Sequence, residues 1–503
     1  MKQKLASLIC STAGFLLFLL SVPAAQVATE AANYRTDQIL IQPRPGTDRA
    51  VLAAFHAAHG ARVARTFTRT GGSQVVTVPA GETVAGLIAK YQQSGLVTFA
   101  EPDYLVHAAA TLPNDPYFTN GSLWGLYNYG QNSGTPHADI DAVNAWDVLT
   151  SASNIVVALL DTGIRATHQD LAANMWVNPN DGGNGFNAFT GTNNPADDSG
   201  HGTLVAGVLG AVGNNGVGVT GVAWRVRMMA CKCLDEYGNG SDSTVIPCIE
   251  YAETNGARII NASFNTPTAS LALSNAIVTA QAAGIIFVAS AGNGTLPQNT
   301  VNVDVTPYYP ACYRIDNIVA VEYSTRNDTL GSLSYYGHTN VMLAAPGDQI
   351  YSTFSASDTY YYPPAGLGIN IAGTSFAAGY VSGALALMLA KYPTENYQQI
   401  IQRLKNATDP APALKGTCLT GGRLNLRKAL NPDIRLAPVG AAGPGAVPFQ
   451  LSTGPNRLCV IQASTNLGTW TPFYTNITSP NGTFTFTNRV GPPQLFFRGT
   501  ATP

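Results

Sequence analysis

Between residues 115 and 430, short apolar runs alternate with helical patterns, and this alternation restricts the fold more than any other feature of the 503-residue chain. Buried strands of parallel sheets have this length and composition, and such sheets need helices on both faces. We therefore expect an α/β domain at 113–430, built on a mostly parallel sheet flanked by helices. The clearest predicted strands are residues 155–160, 258–262, 285–289 and 318–321.

Polar residues follow three of these predicted strands. Asp161 comes directly after the first strand, Ser263 directly after the second, and Asn293 after a short turn beyond the third. Because ligands of parallel α/β sheets bind beyond the carboxyl ends of the strands, we expect these side chains to lie close together.

A run of small and apolar residues at 373–390 predicts a long buried helix with Ser375 in its first turn. Unpaired N–H groups and the positive end of the helix dipole lie at such a position and stabilise negative charge. A serine hydroxyl is a weak nucleophile alone, so it needs a base and an orienting carboxylate. His201, flanked by glycines at the start of another helical run, and Asp161 are the candidates.

Each of these motifs is weak evidence by itself. The Asp-Thr-Gly turn at 161–163 is a common strand end, and it also occurs in aspartic proteases, which need a second loop of the same kind. The combination is more specific, because Asp161, His201, Asn293 and Ser375 follow one another at separations of 40, 92 and 82 residues. Each of the four therefore lies on its own predicted element.

This combination resembles the subtilisin-like serine proteases, whose motifs occur in the same chain order. The resemblance extends over about residues 34–430. The matching motifs are Asp161-Thr162-Gly163, His201-Gly202-Thr203, Gly292-Asn293 and Gly373-Thr374-Ser375, together with Pro307-Tyr308-Tyr309-Pro310-Ala311, Ile318-Val319-Ala320-Val321 and Ala345-Pro346-Gly347.

The resemblance implies the role of each catalytic residue. Ser375 attacks the scissile carbonyl, and His201 takes its proton and passes it to the leaving amine. Asp161 orients the imidazole, while the Asn293 side chain and the Ser375 N–H bind the oxyanion. Catalysis of this kind needs no cofactor. Its substrates are proteins or peptides.

The resemblance also implies two substrate-binding segments. Ser263, Phe264 and Asn265 resemble the edge strand on which an extended peptide lies. Ser290, Ala291 and Gly292 resemble one wall of the primary specificity pocket. Since no charged residue occurs in that wall, we expect a preference for apolar or aromatic residues before the cut.

Two positions depart from the family pattern. Gly379 stands where the family usually has proline, and glycine there costs roughly 0.5–1 kcal/mol of helix stability relative to alanine. Asn265 stands where the family usually has glycine, and its side chain is expected to narrow the distal subsites.

A calcium site is the next implication of the resemblance. Hard oxygen ligands from carboxylates, amides and loop carbonyls suit Ca²⁺. The alternative is an Asn-Gly turn beside a solvated aspartate. The residues that resemble the family's site are Asp115, Asp170, Gly213, Asn215, Val217 and Val219.

The N-terminal part of the chain is expected to be processed. Residues 1–25 have the pattern of a secretory signal peptide, with an uncleaved membrane anchor as the alternative. Residues 34–108 predict the order βαββαβ of a ferredoxin-like fold, from strands at 34–42, 62–67, 73–78 and 96–107 and helices at 49–59 and 83–94. This segment resembles the family's inhibitory propeptide. We expect cleavage between residues 107 and 115.

Six cysteines remain after the predicted signal peptide, and an even number in an exported chain favours disulfides. Free buried thiols and a metal site are the alternatives. The net charge of −2 gives no reason to expect binding to nucleic acid or to an anionic membrane.

The C-terminal part predicts a linker at 431–448, rich in proline, glycine and alanine, and a small all-β module at 449–503. The module is predicted from short alternating runs at 458–462, 469–474 and 483–487, and the stretch 460–467 with Trp470 and Thr471 resembles small C-terminal β modules of secreted bacterial proteins. Such a module binds a surface or polysaccharide, acts as a sorting segment, or merely packs on the enzyme.

Together these observations predict a bacterial serine endopeptidase in the extracellular space or cell envelope, made as a self-processing zymogen and active as a monomer without a stable membrane anchor. Its own propeptide is the expected intramolecular inhibitor. A catalytically inactive scaffold of the same fold, used for binding, is the alternative.

Overall fold

The computed structural model describes residues 34–69, 71–104, 111–295, 300–362, 371–431, 435–439, 446–453, 457–465, 471–479, 482–489 and 496–501. The chain divides into two compact units, Met1–Ala109 and Ala110–Pro503. The predicted signal peptide lies outside the described residues, as do residues 105–110, which include the first part of the expected cleavage region.

The first unit has the predicted order βαββαβ. Its strands form an antiparallel sheet in the order β2-β3-β1-β4, with Leu40 opposite Val75 on one side and Glu101 on the other. Ile39, Ile41 and Leu87 are fully buried between sheet and helices. The elements are β1 (Tyr34–Pro43), α1 (Arg49–Ala58), β2 (Val63–Phe67), β3 (Ser73–Thr77), α2 (Val84–Gln93) and β4 (Val97–Tyr104).

The second unit is built on the predicted, mostly parallel sheet. The strand order is β14-β15-β11-β10-β9-β8-β5-β7-β6, and every pair except β14–β15 is parallel. The strands are β5 (Ser151–Asp161), β6 (Gly185–Asn187), β7 (Arg225–Lys232), β8 (Ile259–Ala262), β9 (Ile286–Ser290), β10 (Ile318–Ser324), β11 (Leu343–Pro346), β14 (Thr408–Pro410) and β15 (Gly422–Leu424), with a separate hairpin of β12 (Ser352–Thr353) and β13 (Tyr361–Tyr362).

Helices cover both faces of this sheet. Along β5, Val157 and Leu159 pack in the same apolar core as α5 and α8, whereas Ala158 and Leu160 pack with α6 and α7 on the other face. The helices are α3 (Pro116–Thr119), α4 (Ala142–Trp146), α5 (His201–Gly210), α6 (Asp242–Thr254), α7 (Leu271–Ala282), α8 (Thr374–Lys391), α9 (Tyr397–Asn406) and α10 (Leu426–Leu430).

The C-terminal residues form two three-stranded antiparallel sheets, in the orders β16-β17-β20 and β19-β18-β21. The all-β prediction is thus confirmed, but strands lie inside the expected linker at 431–448. Leu436 pairs with Leu451, and Pro438 ends the edge strand, where no N–H is needed for the ladder. The strands are β16 (Arg435–Pro438), β17 (Ala446–Ser452), β18 (Leu458–Ser464), β19 (Thr471–Ile477), β20 (Thr483–Arg489) and β21 (Phe496–Ala501).

The prediction of disulfides is wrong in this structure, because the described cysteines are buried free thiols distributed over three apolar cores. Buried cysteine packs as a small apolar side chain. Among the described residues, no three or more histidine, cysteine, aspartate or glutamate side chains lie together in a way that could hold a metal ion. The free cysteines are Cys231, Cys233, Cys248, Cys312, Cys418 and Cys459.

Within the described ranges, no helix combines the length and apolar character that a membrane span requires.

Candidate active site

The carboxyl end of β5 and the first turn of α5 bring Asp161 and His201 together. His201 Nδ1 lies 2.7 Å from Asp161 Oδ1, which also accepts the backbone N–H of Thr162 at 2.7 Å. The Asp161 side chain is fully buried, whereas 34% of the His201 side chain is exposed. A buried carboxylate on Nδ1 fixes the tautomer in which Nε2 accepts a proton.

The charge state of His201 is set by opposing effects. Burial lowers the pKa of the imidazole, while the charge and hydrogen bond of Asp161 and the charge of Asp197 raise it. The attraction is the stronger effect, so the pKa of His201 lies above its ordinary value of 6.5.

Ser375 is the second residue of α8 and is 5% exposed. The ring of the next residue, Phe376, lies 6.2 Å from the imidazole of His201, measured between ring centres. Among the described residues, Ser375 has no hydrogen bond to His201, as is common before substrate binds. Helix geometry leaves the Ser375 N–H without an intrahelical acceptor, so it is available to an oxyanion.

Asn293 lies beyond β9, and its amide is held in one orientation. Its Oδ1 accepts the backbone N–H of Thr374 at 2.9 Å and the Thr374 hydroxyl at 3.2 Å. Because the oxygen is used in this way, Nδ2 points away from Thr374 and remains a donor. The amide and the Ser375 N–H are thus tied to the same helix start.

The sequence patterns did not indicate the side chains that support these residues. Asp197 accepts hydrogen bonds from the first turn of α5 and from Thr162. Lys232, almost fully buried, donates to the Thr162 carbonyl at 2.8 Å. Both side chains contact the Asp161 turn only after the loops have folded around it. The spacing of residues along the sequence therefore does not predict these contacts.

A second triplet of the aspartic-protease type, Asp198-Ser199-Gly200, occurs just before His201. Its carboxylate is half exposed and pairs with Lys232 Nζ at 2.7 Å. Asp161 instead pairs with His201. The two aspartates therefore have different partners, unlike a pair of carboxyls that share a proton.

The two predicted substrate-binding segments approach each other. A side chain at Gly292 would place its Cβ 3.1 Å from Asn265 Nδ2 and 2.4 Å from the ring of Tyr335, so only glycine fits there. Ser290 and Ala291 are buried, and Tyr335 donates its N–H to the Gly292 carbonyl at 2.9 Å. Ser263 is held by a hydrogen bond of 2.9 Å from Asn261, and Phe264 packs partly against the core beside α6 and α7.

Gly379 lies where α8 crosses α5. A Cβ at this position would lie 3.3 Å from the Val205 carbonyl oxygen and 3.4 Å from a methyl group of Val208. The glycine therefore allows the helices that carry Ser375 and His201 to approach closely. It removes no atom of the candidate catalytic group.

Among the residues predicted to hold calcium, Asp115, Asn215 and Asp170 lie next to one another. Asp115 and Asp170 are fully buried. Asn215 links them, since its N–H donates to Asp115 at 3.3 Å and its Nδ2 to Asp170 at 2.8 Å. Burial raises the pKa of both carboxyls, that of Asp170 to about 6.

The carboxylate oxygens of Asp115 and Asp170 suit a hard cation, because a positive ion would offset the repulsion between two buried negative charges. The loop at 213–219 closes over them, and the Val219 N–H donates to Asp170 at 2.8 Å. The hydroxyl of Tyr361 donates to the same carboxylate at 3.0 Å. Gly213 and Val217 belong to this loop.

Comparison with known families decides the class of the protein. The family model described as the subtilase family matches residues 152–432, which include all four candidate catalytic residues. The chain belongs to the subtilase family. This subtilase also matches the model described as the fervidolysin N-terminal prodomain, over residues 21–103.

Curated relatives of this subtilase are serine proteases. A thermophilic serine proteinase of Bacillus sp. (strain AK1) is 33% identical over 348 residues, which are 69% of this chain and 76% of the relative. Subtilisin DY of Bacillus licheniformis is 38% identical over 275 residues, 54% of this chain and 89% of the relative. Thermitase of Thermoactinomyces vulgaris is 32% identical over 318 residues, 63% of this chain and 99% of the relative.

The subtilase is therefore a serine endopeptidase with an N-terminal prodomain, as the sequence motifs predict. The expected fold class is confirmed as well: a mostly parallel sheet with helices follows the prodomain and precedes a small all-β region.

Proposed function

We propose that this subtilase cleaves peptide bonds with Ser375 as nucleophile, His201 as general base and acid, and Asp161 as the residue that orients His201. The observation that carries the proposal is the bond of 2.7 Å between His201 Nδ1 and the buried Asp161 carboxylate. It leaves Nε2 free to accept a proton, and the centre of the imidazole lies 6.2 Å from the ring of Phe376, the residue after Ser375.

The reaction proceeds in two halves. His201 Nε2 takes the Ser375 proton as Oγ attacks the scissile carbonyl, and the imidazolium then gives that proton to the leaving amine. In the second half, water attacks the acyl-enzyme, and His201 takes a proton from the water and gives it to Ser375 Oγ as the acyl group leaves. Asp161 stays ionised and stabilises the imidazolium formed in both halves.

Asn293 and the Ser375 N–H are the proposed oxyanion donors. Support comes from Thr374, whose N–H and hydroxyl hold the amide oxygen and so leave Nδ2 for the oxyanion. A donor fixed in advance need not reorganise when negative charge develops.

Substrate is proposed to lie along Ser263, Phe264 and Asn265, with its residue before the cut against Ser290, Ala291 and Gly292. The wall at 290–292 carries no charge, and the aromatic ring of Tyr335 packs on Gly292. We therefore expect apolar or aromatic residues before the cut. A peptide-library profile dominated by arginine or glutamate at that position would contradict this expectation.

Secretion, self-processing and inhibition by the prodomain are further parts of the proposal. They rest on the signal-peptide pattern at 1–25 and on the prodomain match. Cleavage between residues 107 and 115 would release a catalytic domain at 113–430 and the region at 449–503. For that last region we propose retention on a cell-wall surface or polysaccharide, tested by comparing full-length protein with a chain ending at residue 430.

A structural Ca²⁺ is proposed at Asp115, Asp170 and Asn215, with carbonyls of the loop at 213–219 as the remaining ligands. The ion would neutralise two buried carboxylates and tie the loop to the start of the catalytic domain. It takes no part in the reaction.

The direct test is labelling with a fluorophosphonate, which reacts with a serine activated by a neighbouring base. Wild-type protein should be labelled at Ser375, and Ser375→Ala and His201→Ala should not. Labelling that survives in Ser375→Ala would reject Ser375 as the nucleophile. Absence of labelling in mature wild-type protein would instead favour the inactive binding scaffold.

A further inference from the structure

Asp197 lies four residues before His201, outside the catalytic motifs, and its carboxylate accepts an unusual number of hydrogen bonds. Oδ1 accepts the Thr162 hydroxyl at 2.8 Å and the N–H groups of Ser199 and Gly200 at 3.1 and 2.8 Å. Oδ2 accepts the N–H and hydroxyl of Thr203 at 3.0 and 2.5 Å. Five donors thus converge on one side chain.

These donors come from both sides of the catalytic pair. Ser199, Gly200 and Thr203 surround His201 at the start of α5. Thr162 follows Asp161, and its hydroxyl also accepts the Gly202 N–H at 3.0 Å. The carboxylate therefore joins the turn that holds Asp161 to the turn that holds His201.

The backbone at this junction leaves little room for adjustment. A Cβ at Gly202 would lie 2.1 Å from the Gly163 carbonyl oxygen and 3.1 Å from Asp161 Cβ. Gly200 has φ of 103°, a left-handed conformation that few other residues adopt. The two turns approach at van der Waals distance, and the bonds of Asp197 determine how they meet.

We propose that Asp197 is a positioning residue of the protease, which holds the first turn of α5 against the turn at 161–163 and thereby keeps His201 Nδ1 on the Asp161 carboxylate. This inference rests on the proposed roles of Asp161, His201 and Ser375. Asp197 acts through His201 and does not touch the reacting atoms.

The charges around His201 make the role of Asp197 measurable through the pKa of His201, in addition to any effect on stability. Asp161 faces the imidazole from β5 and Asp197 from the loop before α5, and both raise the pKa of His201. The other charges nearby are compensated: Asp198 pairs with Lys232 of β7, and Arg165 pairs with Asp358. Removal of the Asp197 charge should therefore lower the pKa of His201, whereas removal of an exposed charge away from the imidazole, such as that of Asp181, should not.

The test compares Asp197→Asn with Asp181→Asn, a control that removes the same charge from an exposed loop, where the carboxylate likewise accepts a backbone N–H, that of Gly183 at 2.8 Å. The mature proteins, from which the prodomain has been removed and in which the C-terminal region is kept, are assayed on a neutral peptide from pH 5 to 9. Asp197→Asn should lower kcat about 10–100-fold with KM changed less than about 2-fold, since misplaced catalytic groups lose rate rather than binding. Its kcat/KM should also begin to fall at a lower pH than in wild type, while Asp181→Asn should match wild type in both respects.

Thr162→Val provides a second test if Asp197→Asn does not mature. This change removes the hydroxyl that joins Asp197 to the Asp161 turn and leaves every charge in place, so kcat should fall with no shift in the pH profile. A wild-type kcat and pH profile in Asp197→Asn would overturn the inference, as would equal effects in the two asparagine variants or a wild-type kcat in Thr162→Val. Failure of the proposed function is distinguishable, because wild-type protein would then not be labelled by the fluorophosphonate.

Discussion

At the residue scale, oxyanion stabilisation depends on an amide that its neighbour holds in place. Asn293→Ala should lower kcat about 10²–10³-fold with little change in KM, because the lost donor acts mainly in the transition state. This magnitude is the one known for the oxyanion asparagine of a subtilisin, and we expect it to apply to Asn293 as a member of the same family. Steady-state kinetics on a neutral peptide measure both constants.

A control isolates the donor from the packing around it. Thr374→Ser keeps the N–H and hydroxyl that hold Asn293 Oδ1 and should retain kcat within a few-fold. Loss of only a few-fold in Asn293→Ala would show that another group supplies the oxyanion bond.

The candidate catalytic residues could be proposed from sequence because each stands in a short motif at the end of a predicted strand or start of a predicted helix. Asp197 and Lys232 could not. Their partners are backbone groups and side chains of turns that meet only in the folded chain, so the spacing of residue types along the sequence does not indicate them.

At the element scale, the crossing of α5 and α8 sets the distance between the candidate base and nucleophile. A Cβ at Gly383 would lie 2.7 Å from the Leu209 carbonyl oxygen and from Val222 Cβ, whereas at Gly379 the nearest atom is 3.3 Å away. Gly383→Ala should therefore destabilise the fold by about 1–3 kcal/mol through overpacking.

Gly379→Ala is the matched comparison, and we expect it to change stability by less than about 1 kcal/mol. The gain in helix propensity of roughly 0.5–1 kcal/mol is offset by the closer contact with Val205. Urea unfolding of both variants, each in Ser375→Ala to prevent autolysis, gives the free energies. Equal destabilisation by the two alanines would contradict this description of the crossing.

Strand β10 carries a buried carboxyl that makes stability depend on pH. Burial raises the pKa of Glu322 to about 7, and Oε2 has no hydrogen-bond partner among the described residues. Since the folded pKa exceeds the ordinary value of 4.5, the favourable contribution is complete below pH 4.5 and is lost as pH rises through 7.

Glu322→Gln should therefore stabilise the protein above pH 7 and have a smaller effect near pH 4.5, the difference being about 3 kcal/mol. Unfolding free energies in the Ser375→Ala protein measure it, with the exposed Glu250→Gln on α6 as the control. A pH-independent effect of Glu322→Gln would show that the pKa of Glu322 is the same in the folded and unfolded protein.

The positions of the strands in the parallel sheet could be predicted from the sequence, because these strands are buried and therefore apolar. The predicted strands of the parallel sheet match β5, β8, β9 and β10 because apolar runs in a two-sided sheet are buried along their length. The linker prediction fell short at 435–438 and 446–448, since proline and glycine content does not report an antiparallel partner further along the chain.

At the scale of the whole molecule, the proposed calcium site connects the start of the catalytic domain to the loop at 213–219. EDTA should lower the melting temperature of the mature enzyme, because the ion would no longer offset the repulsion between the buried carboxylates of Asp115 and Asp170. A free Ca²⁺ concentration of 100–1,000 times Kd corresponds to about 3–4 kcal/mol of stabilisation. Asp170→Asn should show little response to EDTA, and an unchanged wild-type melting temperature would contradict the site.

The order of the parts was visible in the sequence, because each part has its own periodicity and composition. The thiol state was not. An even number of cysteines in a chain with a predicted signal peptide favours disulfides. Only the folded structure shows that the six described cysteines lie as free thiols in apolar cores.

The most direct test of peptide-bond cleavage by Ser375 is the intact mass of the chain from residue 29 onward, followed over time beside its Ser375→Ala variant. We expect the parent to lose its N-terminal segment by a cut between residues 107 and 115 while the variant keeps it. If the variant is cut at the same place and rate, with added host protease excluded, Ser375 is not the residue that cleaves the chain.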